Sequence, residues 1–190
     1  MGKTGYFSHR ACWRHEMGAG HPESPERLDV IEDRLLMTGV FDGVERMEAP
    51  QAAIGDVELA HDRMHVAALR GLTDRLVEEQ AAGGPEYTQI DTDTAINAHT
   101  LTAALHAAGA AVAATDAVLD GTLENAFCAI RPPGHHATRN KAMGFCFFNN
   151  VAIAALHALQ RRHLKRVAIV DFDVHHGNGT EDILAGDDRV

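Results

Sequence analysis

Hydrophobic residues along the chain follow two alternating patterns. Short continuous apolar runs, typical of strands buried on both faces, are separated by segments whose apolar residues recur every three or four positions, as in amphipathic helices. The predicted strands are Thr4–Ser8, Val44–Met47, Ala126–Ile130 and Val167–Asp171. The predicted helices are Ser24 to Gly39, Asp62–Ala82, Thr94–Leu119 and Asn149–Arg162. This order predicts an α/β fold in which helices flank a parallel sheet.

The first long helix carries a start and a stop signal. Ser24 is the expected N-cap, Pro25 the first helical position, and Gly39 the end. The segment Cys12–Pro22 before it is predicted to be a loop. The expected buried positions of this helix and of the next one are Leu28, Ile31, Leu35 and Leu36, and Met64, Ala68, Leu72 and Leu76.

Composition limits the class of protein. With 190 residues, 45% hydrophobic and 23% charged, the chain is expected to form one globular domain. Its formal net charge of −10 argues against a direct nucleic-acid or membrane partner and is compatible with a cationic substrate. No apolar run is expected to cross a bilayer. The three cysteines form no C-x-x-C pair, so we expect a reducing, cytoplasmic setting.

Candidate metal ligands lie in Asp171–Gly179, after the last predicted strand. In open parallel sheets, ligands bind at the carboxyl ends of strands. Side chains of an extended segment alternate, so Asp171, Asp173 and His175 are expected to point the same way. His176 would point to the opposite side. A carboxylate and an imidazole two residues apart can bind one metal ion; the alternative, hydrogen bonding within a turn, is disfavoured by the preceding strand and the following glycines.

Two adjacent histidines lie in Arg131–Ala137, after the strand Ala126–Ile130. Two prolines stiffen this loop, and a glycine permits the turn that presents His135 and His136. Because imidazole gains and loses a proton near neutral pH, the pair suits a general base beside an electrostatic partner. The alternative is a metal-free surface pair or two buried structural histidines. Together with the metal ligands, the pair indicates metal-assisted hydrolysis.

A third segment, Gly144–Asn150, is rich in phenylalanine. Phe145 either packs in the core, as aromatic residues do by default, or lines an apolar channel for the alkyl chain of a substrate. Cys146 has no basic partner and is not expected to be a nucleophile.

Several ordered motifs resemble the histone deacetylase superfamily, most closely its class II-like and bacterial amidohydrolase branch. They are His21–Leu28, Asp91–Thr94, Arg131–Ala137, Gly144–Asn150 and Asp171–Gly179. The resemblance implies a three-layer arginase/deacetylase-type α/β fold with a central parallel sheet flanked by helices. It also implies a zinc-dependent amidohydrolase that acts on acylated lysine or a related acylated amine.

The same resemblance implies roles for individual catalytic residues. His136 resembles the family's general base and His135 its electrostatic partner. Asp171 would orient His135. Asn178 would pair with His136, at a position where another branch of the family has aspartate.

The resemblance also implies contacts to metal and substrate. The implied zinc ligands are Asp173 and His175, a set that would also suit Fe(II) or Co(II). Phe145 resembles the wall of the acyl-lysine channel, the Gly144 carbonyl would meet the substrate amide, and Asp93, or less closely Asp91, resembles the rim aspartate that holds the substrate backbone. The backbone oxygens implied in a structural potassium site are those of Asp171, Asp173 and His175.

We expect residues 1–190 to be the N-terminal portion of a single deacetylase-type catalytic domain. Asp187–Val190 resembles a turn that leads into a further strand. In family members, the third zinc ligand and the tyrosine that stabilises the oxyanion lie beyond the position of Val190. Because catalytic zinc sites keep three protein ligands, this chain alone is expected to be inactive.

Functions of three classes stay open. The first is a zinc amidohydrolase acting on acylated lysine peptides, acetylpolyamines or small acylated amines. The second, a two-manganese ureohydrolase of the arginase type, needs more clustered carboxylates than Asp171 and Asp173 supply. The third is a catalytically silent module that binds acylated ligands, against which the presence of both His135 and His136 argues. A homo-oligomer also stays open.

Overall fold

The computed structural model describes residues 2–190. The strands are β1 (Thr4–Ser8), β2 (Val44–Glu48), β3 (Tyr87–Gln89), β4 (Ala95–Asn97) and β5 (Asn125–Cys128). The helices are α1 (Ala11–Arg14), α2 (Glu26–Met37), α3 (Ile54–Ala60), α4 (Arg63–Ala81), α5 (Thr100–Leu119), α6 (Asn150–Gln160) and α7 (Asn178–Leu184).

A parallel sheet with the order β2-β1-β5 is covered by helices on both faces. Successive side chains of a strand point to opposite faces. Tyr6 accordingly packs with Leu28 of α2 on one side, and Phe7 packs with Ala110 of α5 on the other. The covered sheet explains why β1 is apolar without polar alternation, and it confirms the predicted α/β class.

The backbone of helix α5 at Gly109 packs directly against the backbone of residues 50–52. A Cβ atom on Gly109 would lie 2.0 Å from the Pro50 carbonyl oxygen and 2.6 Å from the Ala52 nitrogen. The Ala52 N–H donates to the Leu105 carbonyl at 2.9 Å, which fixes this approach. By length and apolar composition α5 could span a membrane, contrary to expectation, but 56% of its most apolar window is buried inside the protein. That burial is typical of a core helix.

The prediction of a buried strand at Val167–Asp171 is wrong. Within residues 2–190, no strand pairs with this segment, and Val170 is 83% exposed. The Val167 N–H donates to the Arg189 carbonyl rather than to a sheet neighbour. An apolar run forms a buried strand only where a neighbouring strand accepts its backbone hydrogen bonds and other layers cover its side chains.

The helix predicted to begin at Thr94 begins instead at Thr100. Residues Ala95–Asn97 form strand β4, which pairs antiparallel with β3. The Thr100 hydroxyl accepts the Asn97 N–H at 2.9 Å, so the chain turns there before the helix starts. This local hairpin overrides the alanine-rich helical pattern.

Smaller details of the two preceding helices also differ from prediction. Ser24 does not cap α2 with its side chain, and Leu36 is exposed. In α4, Met64 and Ala68 are exposed because the opposite face turns inward. There His65 Nε2 lies 2.9 Å from the Phe147 carbonyl oxygen. Four further elements were not predicted from the sequence: α1, which lies in the expected loop, and α3, β3 and α7.

We expect Gly109→Ala to lower the free energy of unfolding by about 1–3 kcal/mol, because the added methyl group meets backbone atoms that cannot move aside. Urea unfolding of the full-length protein measures this. Gly71→Ala is the matched control: Gly71 lies in α4 with open space around its Cβ position, so alanine there raises stability by up to about 1 kcal/mol. Equal effects of the two substitutions would contradict the close packing of α5.

Candidate active site

A buried ion pair fixes the loop that carries the two adjacent histidines. Arg131 is fully buried, and its guanidinium donates to both carboxylate oxygens of Glu23 at 2.6 Å. Its remaining contacts are the carbonyl oxygens of Cys12 and His15, at 2.7 and 2.9 Å. Bidentate pairing of this kind combines strength with a fixed orientation. The segment from Cys12 to Glu23 is thereby held against Arg131, where the loop that carries His135 and His136 begins.

Each of the two adjacent histidines has its Nδ1 atom engaged. His135 Nδ1 lies 2.9 Å from Asp171 Oδ2, and His136 Nδ1 lies 2.7 Å from Asn178 Oδ1. Because both partners are acceptor oxygens, Nδ1 donates in each ring, and Nε2 is the ring nitrogen left free. The hydrogen bond from His135 lowers the pKa of Asp171. The two ring centroids are 4.1 Å apart, so the structure brings all four residues together.

Two glycines let the segment after Asp171 approach the histidine loop. A Cβ atom on Gly179 would lie 2.3 Å from the Ala137 carbonyl oxygen, and one on Gly177 would lie 2.7 Å from Asp171 Oδ2. The Gly179 N–H donates to the His135 carbonyl at 2.9 Å. Gly179 is therefore needed for the close approach of the two backbones, and Gly177 for the close approach of the Asp171 carboxylate.

Asp173 and His175 lie beside the histidine pair. Asp173 Oδ1 is 3.1 Å from His175 Nδ1, and the His175 and His136 ring centroids are 6.0 Å apart. Asp173 Oδ1 also accepts the His175 backbone N–H at 2.8 Å, so the two residues are hydrogen-bonded within a turn, the alternative to a metal pair. The separation of their ligand atoms is also close to the roughly 3.3 Å between two ligands of one tetrahedral zinc ion. The described residues contain no group of three or more His, Cys, Asp or Glu side chains with metal-binding geometry. His176 turns away, with Nε2 2.8 Å from Glu181.

Gly144 and Phe145 form a tight turn against His136. Met143 and Cys146 exchange two backbone hydrogen bonds around them, and the two central residues have φ angles of 54° and 69°. Positive φ at both central positions is typical of a type I′ turn. A Cβ atom on Gly144 would lie 2.5 Å from the His136 ring, so only glycine permits this approach. Burial raises the pKa of the Cys146 thiol to about 12, consistent with a residue that is not a nucleophile.

Asp93 is connected to the same turn through His21. The His21 Nδ1 atom accepts the Glu23 N–H at 3.1 Å, so its Nε2–H donates to the Asp93 carbonyl at 3.0 Å. The His21 and Phe145 rings meet edge to face at 4.7 Å. Asp91 is engaged elsewhere: the Thr92 N–H and the Lys141 ammonium lower the pKa of its carboxyl group. The structure thus links Asp93, rather than Asp91, to Phe145.

A comparison with protein families decides the classification. The family described as "Histone deacetylase domain" matches residues 21–190. The matched range includes every candidate site residue. This chain belongs to the histone deacetylase family.

Two relatives and one solved structure illustrate the similarity and the share of each that the chain covers. It is 40% identical over 205 residues to a histone deacetylase-like amidohydrolase of Pseudomonas aeruginosa, covering 99% of this chain and 51% of that protein. It is 40% identical over 171 residues to the human polyamine deacetylase HDAC10, covering 88% of this chain and 24% of that protein. The crystal structure of the HDA15 HD domain superposes with a TM-score of 0.85 at 36% identity, covering 96% of this chain and 49% of that one. The chain thus spans about half the length of the bacterial relative.

Two contacts that support this site were not predicted from the sequence. One is the Glu23–Arg131 pair. The sequence signal for such a pair is an arginine at the end of an apolar strand, because a buried guanidinium needs a carboxylate. The other is His61, which accepts the Asn149 N–H at 2.8 Å and lies 2.9 Å from the Thr138 carbonyl oxygen. Burial lowers the pKa of His61 to about 4, which keeps the ring neutral.

We expect Glu23→Gln to lower the free energy of unfolding by about 3–5 kcal/mol, because it leaves the buried Arg131 charge without a counter-ion. Urea unfolding of the full-length protein measures the loss. Glu26→Gln makes the same chemical change at an exposed position three residues away and is expected to stay within about 0.5 kcal/mol of wild type. A small loss for Glu23→Gln, similar to that of the control, would show that the pair does not hold the loops.

Proposed function

We propose that the protein containing this chain is a zinc-dependent amidohydrolase that removes acyl groups from lysine side chains or related acylated amines. One observation carries the proposal: two imidazoles with engaged Nδ1 atoms lie next to the Asp173–His175 pair. Residues 1–190 would supply the N-terminal portion of its catalytic domain. Membership of the histone deacetylase family supports the reaction class.

The partners of the two histidines suggest different tasks. His135 donates to a carboxylate and His136 to a neutral amide. The Asp171 carboxylate is charged and the Asn178 amide is not, so His135 suits the electrostatic partner. His136, held through Nδ1 by the amide, has Nε2 free to take the proton of the attacking water, which is the task of a general base.

Asp173 and His175 would hold the zinc ion. Their separation and donor chemistry fit two of its ligands, and when bound the ion would polarise the substrate carbonyl and activate water. The backbone oxygens of Asp171, Asp173 and His175 stay the proposed ligands of a structural potassium ion.

Phe145, Gly144 and Asp93 would bind the substrate. The Phe145 side chain would line the path of the alkyl chain, the Gly144 carbonyl would accept from the substrate amide, and the Asp93 carboxylate would hold a peptide backbone at the rim. The net charge of −10 suits a cationic substrate. Similarity to a polyamine deacetylase makes an acetylated polyamine the second candidate substrate.

We expect His136→Ala in the full-length protein to lower kcat by about 100- to 10,000-fold, because the general base is lost. Release of acetate from an acetyl-lysine peptide and from an acetylated polyamine measures the rate. His176→Ala is the matched control, since His176 follows His175 in the sequence but its ring contacts Glu181 instead of the site. It is expected to retain wild-type turnover.

A chelator added to the wild-type enzyme should abolish turnover, and zinc should restore it. Turnover that survives both His136→Ala and chelation would contradict the proposed chemistry. A wild-type protein that binds these substrates without releasing acetate would instead be the silent binding module.

A further inference from the structure

The Thr94 hydroxyl connects two of the residues that the proposed function places in contact with substrate. Thr94 is fully buried. Its Oγ1 atom accepts the Phe145 N–H at 3.0 Å and lies 3.0 Å from Asp93 Oδ1, to which it donates. We propose that Thr94 is a positioning residue that sets the rim carboxylate and the channel wall together. This inference rests on the proposed function for the roles of Asp93 and Phe145.

The first effect of Thr94 is on the rim carboxylate. Asp93 is exposed. An exposed carboxylate samples several rotamers, and this freedom would be lost when the side chain binds substrate. The Thr94 hydroxyl donor orients Oδ1 before substrate arrives, while His21 holds the Asp93 backbone through its carbonyl oxygen. Preorganisation of this kind lowers the entropic cost of binding.

The second effect is on the channel wall. Phe145 has a φ of 69°, a strained region of backbone conformation that bulky side chains rarely adopt. Its N–H has the Thr94 hydroxyl as partner, 51 residues away in sequence. Without this acceptor, the turn would lose a contact that opposes relaxation of the strained backbone. Thr94 therefore helps to keep the Phe145 ring in the position that it occupies.

Thr94 is itself held in a fixed position. Its carbonyl oxygen accepts the N–H groups of Ile90 and Asp91, at 2.8 and 3.2 Å. A hydroxyl is the required group, because one atom must accept from an amide and donate to a carboxylate at the same time. Valine has nearly the same shape and can do neither, whereas serine keeps the hydroxyl and lacks only the methyl group.

Thr94→Val in the full-length protein is expected to raise KM for an acetyl-lysine peptide about tenfold, the factor that about 1.4 kcal/mol of binding free energy produces. The value of kcat is expected to fall by a smaller factor than KM rises, because His135, His136, Asp173 and His175 make no hydrogen bond in this chain and only Gly144 of the turn lies against His136. Thr94→Ser keeps the hydroxyl and is expected to restore KM. Hydrogen exchange measured by mass spectrometry on a peptide covering residues 143–148 is expected to speed up in Thr94→Val and to stay slow in Thr94→Ser.

These readouts separate the inference from the proposed function. A wild-type protein that hydrolyses neither substrate would refute the proposed function, while faster exchange in Thr94→Val alone would still support the link to Phe145. A KM and an exchange rate unchanged by Thr94→Val would overturn the positioning role. A fall in kcat equal to the rise in KM, in both valine and serine variants, would also overturn it, because it would indicate general damage to the fold.

Discussion

A guanidinium removed from water must be neutralised and hydrogen-bonded, and this constraint organises the site. Arg131 is fully buried, and its contacts to Glu23, Cys12 and His15 bring the N-terminal loop to the end of β5. Glu23 also donates its backbone N–H to His21, whose ring contacts Asp93 and Phe145. One buried charge therefore orders both the loop of the paired histidines and the segment around Asp93 and Phe145.

Much of the sheet and its helices could be predicted from local pattern. Strand β1 has its predicted bounds, and Gly39 has the left-handed conformation expected at the end of a helix. Prediction failed where a distant partner decides the outcome. Val167–Asp171 has the composition of a buried strand, yet among the described residues it has no strand beside it. The residues after Thr94 have helical composition, yet they pair with β3.

The candidate site divides in the same way. Local motifs and family resemblance identified the histidine pair and its partners, and the structure places His135 beside Asp171 and His136 beside Asn178, over sequence separations of 36 and 42 residues. The supporting contacts have no local signature. Glu23 and Arg131 are 108 residues apart. Nothing in the sequence around Thr94 indicates that its hydroxyl makes two hydrogen bonds. These contacts are necessary because polar groups that are buried must be hydrogen-bonded. Sequence periodicity indicates only approximately which groups are buried.

The proposed chemistry requires that both adjacent imidazoles donate from Nδ1 and present Nε2 to the site. Nitrogen-15 NMR of histidine-labelled full-length protein at neutral pH can observe this arrangement, because the two ring nitrogens have distinct shifts in each tautomer. We expect a proton on Nδ1 of both His135 and His136, with the His136 signal shifted in Asn178→Ala. A neutral His136 that carries its only proton on Nε2 would be incompatible with the proposed general base.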